Sequence, residues 1–278
     1  MGVGNNMRDI QFIKMQGTGN DFIIIDGIKN PDIVEAGRDL SLLARQLCDR
    51  NFGIGADGLI LVLPSEKADY RMRIINPDGS EAEMCGNGIR CFTRFVWEKA
   101  QEKKDVISVE TLAGIMVPAP IVDGDSFVGV EVDMGEPVVE AVKEPLKIEN
   151  LDYFINKISM GNPHCVIFVE DLQSVRIKEI GQIIENLPQF PNRTNVEFVQ
   201  VINDKEIMLK VWERGAGETL ACGTGACASV VAASLNNLTG KKVVVHLPGG
   251  DLGIEWAPDD HVIMRGPAEK VFEGTIRI

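Results

Sequence analysis

The sequence predicts an α+β protein with two related domains, each made of short, mostly antiparallel strands wrapped around a buried helix. Three observations support this prediction. The chain has 278 residues, which is close to two domains of roughly 150 residues each. Short segments that alternate apolar and polar residues recur along it, as in antiparallel sheets. A glycine-rich cysteine motif also occurs twice, and a second repeated motif precedes each copy. Two motifs that repeat in the same order indicate an internal duplication.

The composition is that of an ordinary globular protein, with 45% hydrophobic and 25% charged residues. The net charge of −13, from 28 basic and 41 acidic residues, leaves no basic stripe for phosphates. Nucleic acid and anionic membrane surfaces are therefore not expected partners. No apolar run approaches the roughly 18 residues of a membrane-spanning helix. We expect a cytoplasmic protein whose six cysteines are reduced.

The spacing of apolar residues predicts the individual elements. Period-two alternation predicts strands at residues 22–26, 59–63, 70–75, 106–110, 128–133, 195–202, 206–213, 242–247 and 262–265. Helical spacing predicts one amphipathic helix in each half, at residues 40–53 and 177–187. Two more helices follow glycine-rich turns, at residues 88–101 and 225–236. The second of these is apolar all round and is therefore expected to be buried.

The two halves contain matching motifs. Cys-Gly-x-Gly begins at Cys85 and again at Cys222, and Gly-Asn precedes each copy, ending at Asn20 and at Asn162. Two repeated motifs in the same order favour a duplicated domain. The turn-rich residues 118–125 lie where a linker between the copies is needed, which predicts domains at residues 1–124 and 125–267.

Each motif places its cysteine just before a predicted helix. The positive helix start and its outward-pointing N–H groups form an anion site and favour thiolate over thiol. Such a position can lower the pKa of a cysteine from about 8.5 to roughly 3.5–7.5. One motif alone is also typical of an inert buried cysteine. Two copies in a duplicated frame favour a reactive pair at Cys85 and Cys222.

A pseudo-twofold axis between the domains would let the two helix starts face each other across an interdomain cleft. A carbon between them would have one sulfur on each side, so a thiolate could remove a proton while a thiol donates one to the opposite face. Amide groups of Gly86, Asn87, Gly223 and Thr224 would stabilise the carbanion next to a carboxylate. No cofactor is then needed, and the sequence has no pyridoxal-binding signature. The two sulfurs should share about one proton, because facing thiolates repel.

Other functions also have to be weighed. The GxGxxG pattern at residues 53–58 follows a predicted helix and precedes a strand, which is the reverse of a dinucleotide-binding fold. The cysteines and His164 are numerous enough to bind zinc, but their spacing on helices is not that of zinc sites. A thiol-based redox or metal-binding protein remains the non-enzymatic alternative. Metal analysis and iodoacetamide labelling distinguish it from an enzyme.

Three polar residues near the motifs have both a structural and a functional interpretation. His164 follows the repeated Gly-Asn, so it is either a structural histidine or a proton partner for a thiol. Glu213 and Arg214 form either an exposed ion pair of little energetic consequence or a site in which Arg214 holds a second carboxylate.

Several motifs in order together resemble those of diaminopimelate epimerase. They are Gly19-Asn20-Asp21-Phe22, Asn76-Pro77-Asp78-Gly79-Ser80, Met84-Cys85-Gly86-Asn87-Gly88, Gly161-Asn162-Pro163-His164-Cys165, Thr194-Asn195-Val196-Glu197-Phe198, Glu213-Arg214-Gly215 and Ala221-Cys222-Gly223-Thr224-Gly225. The resemblance extends from about Gln16 to the C-terminus. Residues 1–9 lie outside it, and Gly58 stands where some family members have Gln.

This resemblance implies two pseudo-symmetric domains, each a barrel-like sheet around a central helix, with the last strand, at about residues 268–278, returning to the first domain. It implies a cofactor-independent, metal-independent interconversion of LL- and meso-2,6-diaminopimelate, in the biosynthesis of lysine and peptidoglycan precursors. A homodimer with its active site in the interdomain cleft is also implied. The nearest enzymatic alternative is a proline or hydroxyproline racemase, in which His typically replaces Asn87.

The resemblance also assigns the site residues. Cys85 and Cys222 act as base and acid, in an order set by the configuration of the substrate. His164 and Glu213 tune the thiols. Gly86, Asn87, Gly223 and Thr224 bind the reacting carboxylate. The remaining substrate contacts, largely to the non-reacting amino acid end, are Asn20, Asn76, Asn162, Asn195, Glu213 and Arg214.

Overall fold

Two units make up the structure, a computed structural model that describes residues 9–35, 39–148 and 151–277. Residues 1–8, most of the segment outside the resemblance, are not among the described residues. One unit runs to Val130 and includes the chain from Ala268 onward, and the other is Glu131–Pro267. The division falls inside a strand, shortly after the turn-rich residues 118–125.

The strands, in chain order, are β1 (Asp9–Gly17), β2 (Asn20–Asp26), β3 (Gly58–Leu63), β4 (Tyr70–Ile75), β5 (Glu81–Ala82), β6 (Val109–Thr111), β7 (Gly114–Met116), β8 (Ala119–Asp123), β9 (Ser126–Asp133), β10 (Val138–Ile148), β11 (Leu151–Ser159), β12 (Pro163–Phe168), β13 (Asn195–Asn203), β14 (Glu206–Glu213), β15 (Gly217–Thr219), β16 (Lys242–Leu247), β17 (Gly250–Trp256), β18 (Val262–Gly266) and β19 (Glu269–Arg277). The helices are α1 (Asp32–Glu35), α2 (Leu40–Cys48), α3 (Gly86–Lys99), α4 (Ile177–Glu185) and α5 (Gly223–Leu235).

The pairing of strands repeats between the units. One sheet has the order β19-β1-β2-β3-β4-β6-β7 with β5 beside β4, and the other has the order β10-β11-β12-β13-β14-β16-β17-β18-β9-β8 with β15 beside β14. Most neighbours are antiparallel, as predicted. The parallel pairs β2/β3 and β12/β13 are joined through α2 and α4, and the parallel pairs β4/β6 and β14/β16 through α3 and α5. A helical crossover is the usual connection between parallel strands, and its recurrence at the same places supports a duplication.

A buried helix lies against the sheet of each unit. Helix α3 packs on β1 to β4, and α5 packs on β11, β12, β13, β16, β17 and β18. Helix α5 is buried through Ala233 apart from Thr224, as its apolar sequence predicts. Helix α3 is buried on more than its predicted apolar face, because Arg90 is fully enclosed. The Arg90 guanidinium donates to Gly86 O at 3.1 Å and to Thr18 Oγ1 at 3.1 Å.

The two amphipathic helices cover the outer faces of β3 and β13. Leu43 and Leu47 of α2, and Ile180 and Ile184 of α4, belong to the buried clusters on these faces. Helix α2 ends at Cys48, earlier than predicted. Asp49 Oδ1 accepts the N–H groups of both Asn51 and Phe52 at 2.8 Å, and these hydrogen bonds form a turn in place of another helical turn.

Some exposed strands lack the alternation of apolar and polar residues and were therefore not predicted. Strand β10 carries exposed residues on both faces and has two register shifts against β11, so no alternation marks it in the sequence. The strand predicted at residues 106–110 is wrong at its start. Ser108 donates its N–H and hydroxyl to Asp69 at 2.9 Å, and the ladder with β4 begins only at Val109. Among the described residues, no helix has the length and apolar character needed to span a membrane.

Candidate active site

Both repeated cysteines cap the central helix of their unit. Cys85 precedes α3 with extended backbone angles (φ −142°, ψ 120°), and its Sγ accepts the N–H of Gly88 at 3.4 Å. Cys222 precedes α5 in the same way (φ −121°, ψ 112°), and its Sγ accepts the N–H of Gly225 at 3.4 Å. The sulfur therefore takes the place of the oxygen of a usual N-cap residue. The two residues that follow each cysteine form the start of its helix. Their backbone N–H groups point outward from the helix start.

In the first unit, two asparagines surround Cys85. The Cys85 Sγ lies 3.8 Å from Asn20 Oδ1, in the geometry of a thiol that donates to the amide oxygen. Asn87 Nδ2 donates to the same Asn20 Oδ1 at 3.3 Å. Asn76 lies in the turn after β4, and its side chain donates to Ser80 at 3.0 Å. The structure thus brings Asn20 and Asn87 to Cys85, whereas the hydrogen bonds of Asn76 stay within its own turn.

A charged network holds Asn20 in this orientation. Asp57 Oδ2 accepts Asn20 Nδ2 at 2.8 Å, so the amide oxygen of Asn20 faces the sulfur. Arg50 bridges Asp57 and Asp21 at 2.6 and 2.8 Å. Burial alone would raise the pKa of Asp21, but hydrogen bonds from Arg50 and Lys14 lower it to about 2. Asp57, which sequence reasoning did not select, is the residue of the GxGxxG segment that supports the site.

In the second unit, a chain of hydrogen bonds leads to Cys222. Thr224 Oγ1 lies 3.5 Å from Cys222 Sγ, and Asn162 Nδ2 donates to Thr224 Oγ1 at 3.3 Å. Asn162 Oδ1 lies 3.0 Å from His164 Nε2, and His164 Nδ1 lies 2.7 Å from Glu197 Oε1. The parallel pairing of β12 and β13 sets His164 opposite Asn195, two residues before Glu197. Three predicted site residues are thereby connected to the sulfur.

A second group surrounds the turn after β14. Asn195 Oδ1 accepts the backbone N–H of Arg214 at 2.9 Å, and Asn195 Nδ2 donates to Pro163 O at 3.0 Å. The Arg214 side chain is exposed and donates to Asn192 O at 3.1 Å. Glu213 is half-buried and accepts a hydrogen bond from the hydroxyl of Thr219. No ion pair joins Glu213 to Arg214 in the described structure, so the two side chains are not the surface ion pair considered above.

The environment of Cys222 corrects the expected pKa. Burial raises the pKa of the Cys222 thiol well above its usual range, and the carboxylates of Glu213 and Glu197 raise it further. Hydrogen bonds from Thr224 and the Gly225 N–H act in the opposite direction but are outweighed. Burial likewise raises the pKa of Glu213. The expectation of a lowered pKa is therefore wrong for Cys222, because a helix start cannot compensate for loss of water and two nearby carboxylates.

Glu197 is the second residue that sequence reasoning missed as part of the site. Its side chain is fully buried, and a Cβ placed at Gly225 would lie only 2.7 Å from its Oε1. The available signal was an acidic residue between Val196 and Phe198, in a strand whose first five residues are buried on both faces. A buried carboxylate on such a strand requires a partner. Within the part of the chain that the structure describes, no group of three or more His, Cys, Asp or Glu side chains is arranged to hold a metal ion.

The sequence matches one family along most of its length. Residues 12–140 and 157–271 match the sequence profile of the family Diaminopimelate epimerase. A protein named diaminopimelate epimerase from Pelotomaculum thermopropionicum is 53% identical over 280 residues, covering 95% of this chain and 98% of that protein. One of the same name from Desulfitobacterium hafniense is 51% identical, covering 96% and 98%.

Solved structures of distant sequence share the fold. A phenazine biosynthesis protein of the PhzF family from Bacillus anthracis matches with a TM-score of 0.77 at 18% identity, covering 98% of this chain and all of that one. A hydroxyproline epimerase from Agrobacterium vitis matches with a TM-score of 0.72 at 16% identity, covering 97% and 91%. These matches confirm the predicted α+β fold of two sheet-dominated domains.

Proposed function

The chain belongs to the diaminopimelate epimerase family, and from that premise we propose that it interconverts LL- and meso-2,6-diaminopimelate. The observation that carries the proposal is the matched pair of cysteines, each of which caps the central helix of its own unit. Relatives that are about half identical over nearly their full length support the substrate. The reaction would supply precursors of lysine and peptidoglycan.

The proposed mechanism is a two-base proton exchange at the α-carbon. One cysteine, as thiolate, takes the α-proton, so that the C–H bond breaks and an S–H bond forms. The electron pair stays on the α-carbon beside the carboxylate. The other cysteine, as thiol, donates its proton to the opposite face, which inverts the centre and leaves a thiolate. Cys85 and Cys222 exchange these roles when the reaction runs in reverse.

We propose that the helix starts replace a cofactor. The N–H groups at Gly86 and Asn87, and at Gly223 and Thr224, would bind the reacting carboxylate and stabilise the charge that develops on it. The capping geometry supports this role, because the first N–H groups of α3 and α5 adjoin the two sulfurs. No metal or prosthetic group enters the proposed reaction.

The other predicted residues are proposed as contacts to the non-reacting end of the substrate. They are Asn20, Asn76, Asn162, Asn195, Glu213 and Arg214, with His164 and Glu213 also adjusting the thiols. Exposure of the Arg214 side chain, while its backbone is held by Asn195, supports its availability for a second carboxylate. A crystal structure with a bound diaminopimelate analogue tests each contact. A contact fails if that residue lies beyond hydrogen-bond distance of the analogue.

Solvent deuterium tests the proposed reaction. With LL-diaminopimelate in heavy water, we expect the meso product to carry deuterium at the inverted α-carbon, because the donating thiol has exchanged with solvent. Mass spectrometry of the product measures the label. A C85S/C222S double variant is the matched control and should incorporate none. Turnover without label, or equal turnover of proline, would contradict the proposal.

The proposal also places the active site in a cleft between domains of residues 1–124 and 125–267, with residues 268–278 joining the first. If this is correct, mild oxidation of the enzyme without substrate should join Cys85 to Cys222 and abolish activity. Thiol reduction should restore it, and bound substrate should protect against it. Peptide mapping by mass spectrometry detects the bond. A preparation that carries this disulfide and keeps full activity would refute the shared site.

We further propose that the protein acts as a homodimer in the cytoplasm. Exposed apolar side chains between residues 106 and 128 of the first unit support this proposal, because contact with a second copy would remove them from water. These side chains are Val106, Leu112, Ile115, Val117, Val122 and Val128. Sedimentation velocity tests this assembly, and a species of only 30.4 kDa at the highest concentrations would exclude it.

A further inference from the structure

Glu197 ends the chain of hydrogen bonds that leads to Cys222. The side chains of Glu197 and His164 are both completely buried, and Glu197 Oε1 is 2.7 Å from His164 Nδ1. The other oxygen, Glu197 Oε2, is buried without a hydrogen-bond partner among the described residues. The hydrogen bonding of this carboxylate is thus directed to the histidine.

The acceptors around His164 determine where its protons lie. Nδ1 faces a carboxylate oxygen of Glu197, and Nε2 faces the amide oxygen of Asn162. An amide oxygen can only accept, so Nε2 carries a proton. A second proton lies between Nδ1 and Oε1.

These protons give the chain a direction. Asn162, whose oxygen faces His164, turns its Nδ2 towards Thr224 Oγ1. The Thr224 oxygen accepts that N–H, so its own hydroxyl proton is available to Cys222 Sγ, 3.5 Å away. A hydroxyl that donates to sulfur stabilises the thiolate. This hydrogen bond counteracts three effects that raise the pKa of Cys222 and so disfavour the thiolate. They are burial, the carboxylate of Glu213 on β14 and the carboxylate of Glu197 on β13.

We propose that Glu197 is a positioning residue that fixes the direction of this chain, so that Thr224 donates to Cys222 when the cysteine is a thiolate. Without the carboxylate, a neutral His164 could hold its proton on Nδ1 and accept at Nε2. Asn162 would then reverse, and its oxygen would take the Thr224 proton away from the sulfur. The role in catalysis rests on the proposed function, whereas the direction of the chain does not.

Nitrogen NMR of labelled histidine tests the direction in the wild-type protein. The chain has only three histidines, and an H164Q variant identifies the His164 signals. From the acceptors that face the ring, we expect both ring nitrogens of His164 to be bonded to hydrogen, with a strongly downfield proton shared with Glu197. An Nε2 without hydrogen would overturn the proposal.

Two variants then separate positioning from general damage. E197Q keeps the size of the side chain but removes its charge, and its amide oxygen can accept the Nδ1–H of a neutral His164. Nε2 should then lose its hydrogen, and the downfield proton should disappear. S229A removes a hydroxyl that donates to Gly225 O at 2.7 Å in the same helix but is outside the chain. It should leave the His164 signals unchanged. Loss of the downfield proton in S229A as well as in E197Q would show that the signal reports general packing, and would overturn the assignment.

Turnover measures the consequence for the reaction. We expect E197Q to lower kcat about tenfold, with KM within about twofold, which is the lower range for loss of a group that orients a reacting residue. E197D, which keeps the charge, should recover part of kcat. An E197Q enzyme with wild-type kcat would contradict the role of Glu197. If the wild-type enzyme does not label the substrate in heavy water, the proposed function fails, and the NMR result still decides the direction of the chain.

Discussion

C222S is expected to lower kcat by about 10²–10⁴-fold, the usual contribution of a positioned acid or base. Serine is a favoured N-cap residue, so its hydroxyl can accept the Gly225 N–H in place of the sulfur, and the start of α5 should be kept. A serine hydroxyl does not ionise in the range of a thiol, so neither the thiolate nor the acid of the reaction remains. Substrate binding should change far less than kcat. Steady-state kinetics in both directions, with heavy-water labelling, measures the loss.

The matched control for this variant is C227A. Cys227 is a fully buried residue of the same helix, beyond the capping turn. Its replacement removes a thiol from α5 without changing the cap, so kcat should remain within about twofold. C85S should behave as C222S does, because Cys85 caps α3 with the same geometry. A C222S enzyme that keeps more than about a tenth of wild-type kcat would show that Cys222 does not exchange protons with the substrate.

The sequence was most informative where local rules decide structure. Strands β14 and β16 were predicted with their observed bounds, because one face of each is buried and the other is not. The position of each cysteine before a helix followed from the glycines that come after it. These features depend on residues within a few positions of each other, so no knowledge of tertiary contacts was needed.

Features that depend on tertiary contacts could not be predicted. Glu197 and His164 are 33 residues apart, and only the parallel register of β12 and β13 brings them together. The sequence of either strand alone does not determine the register of a parallel pair. The raised pKa of Cys222 has the same origin, since the carboxylates that face it come from β13 and β14. Helix starts can be found in a sequence, but the surroundings of a helix start cannot.

Alkaline pH is expected to destabilise both units strongly, because each encloses thiols that resist ionisation. Burial raises the pKa of Cys48 to about 11 and that of Cys91 to about 12 in the first unit. In the second unit, burial raises the pKa values of Cys165 and Cys222. In the unfolded chain these thiols titrate near about 8.5. Below that pH both states are protonated and the folded state has its full stability; above it, only the unfolded state gains from ionisation.

The free energy of unfolding should therefore fall by about 1.4 kcal/mol per pH unit for each such thiol, until the folded pKa is reached. At about pH 10 two thiols cost each unit about 4 kcal/mol, a large part of the usual stability of a domain. Urea unfolding under reducing conditions at several alkaline pH values measures the slope. C165A removes one of these thiols, so its free energy of unfolding should fall less steeply with pH, by about 1.4 kcal/mol per pH unit. Lysines and tyrosines contribute equally to both proteins and do not affect this difference. I167V, in the same strand, is the control: it should lower the free energy of unfolding equally at every pH and leave the slope unchanged. If C165A also has the wild-type slope, the buried thiols are not responsible for the loss of stability.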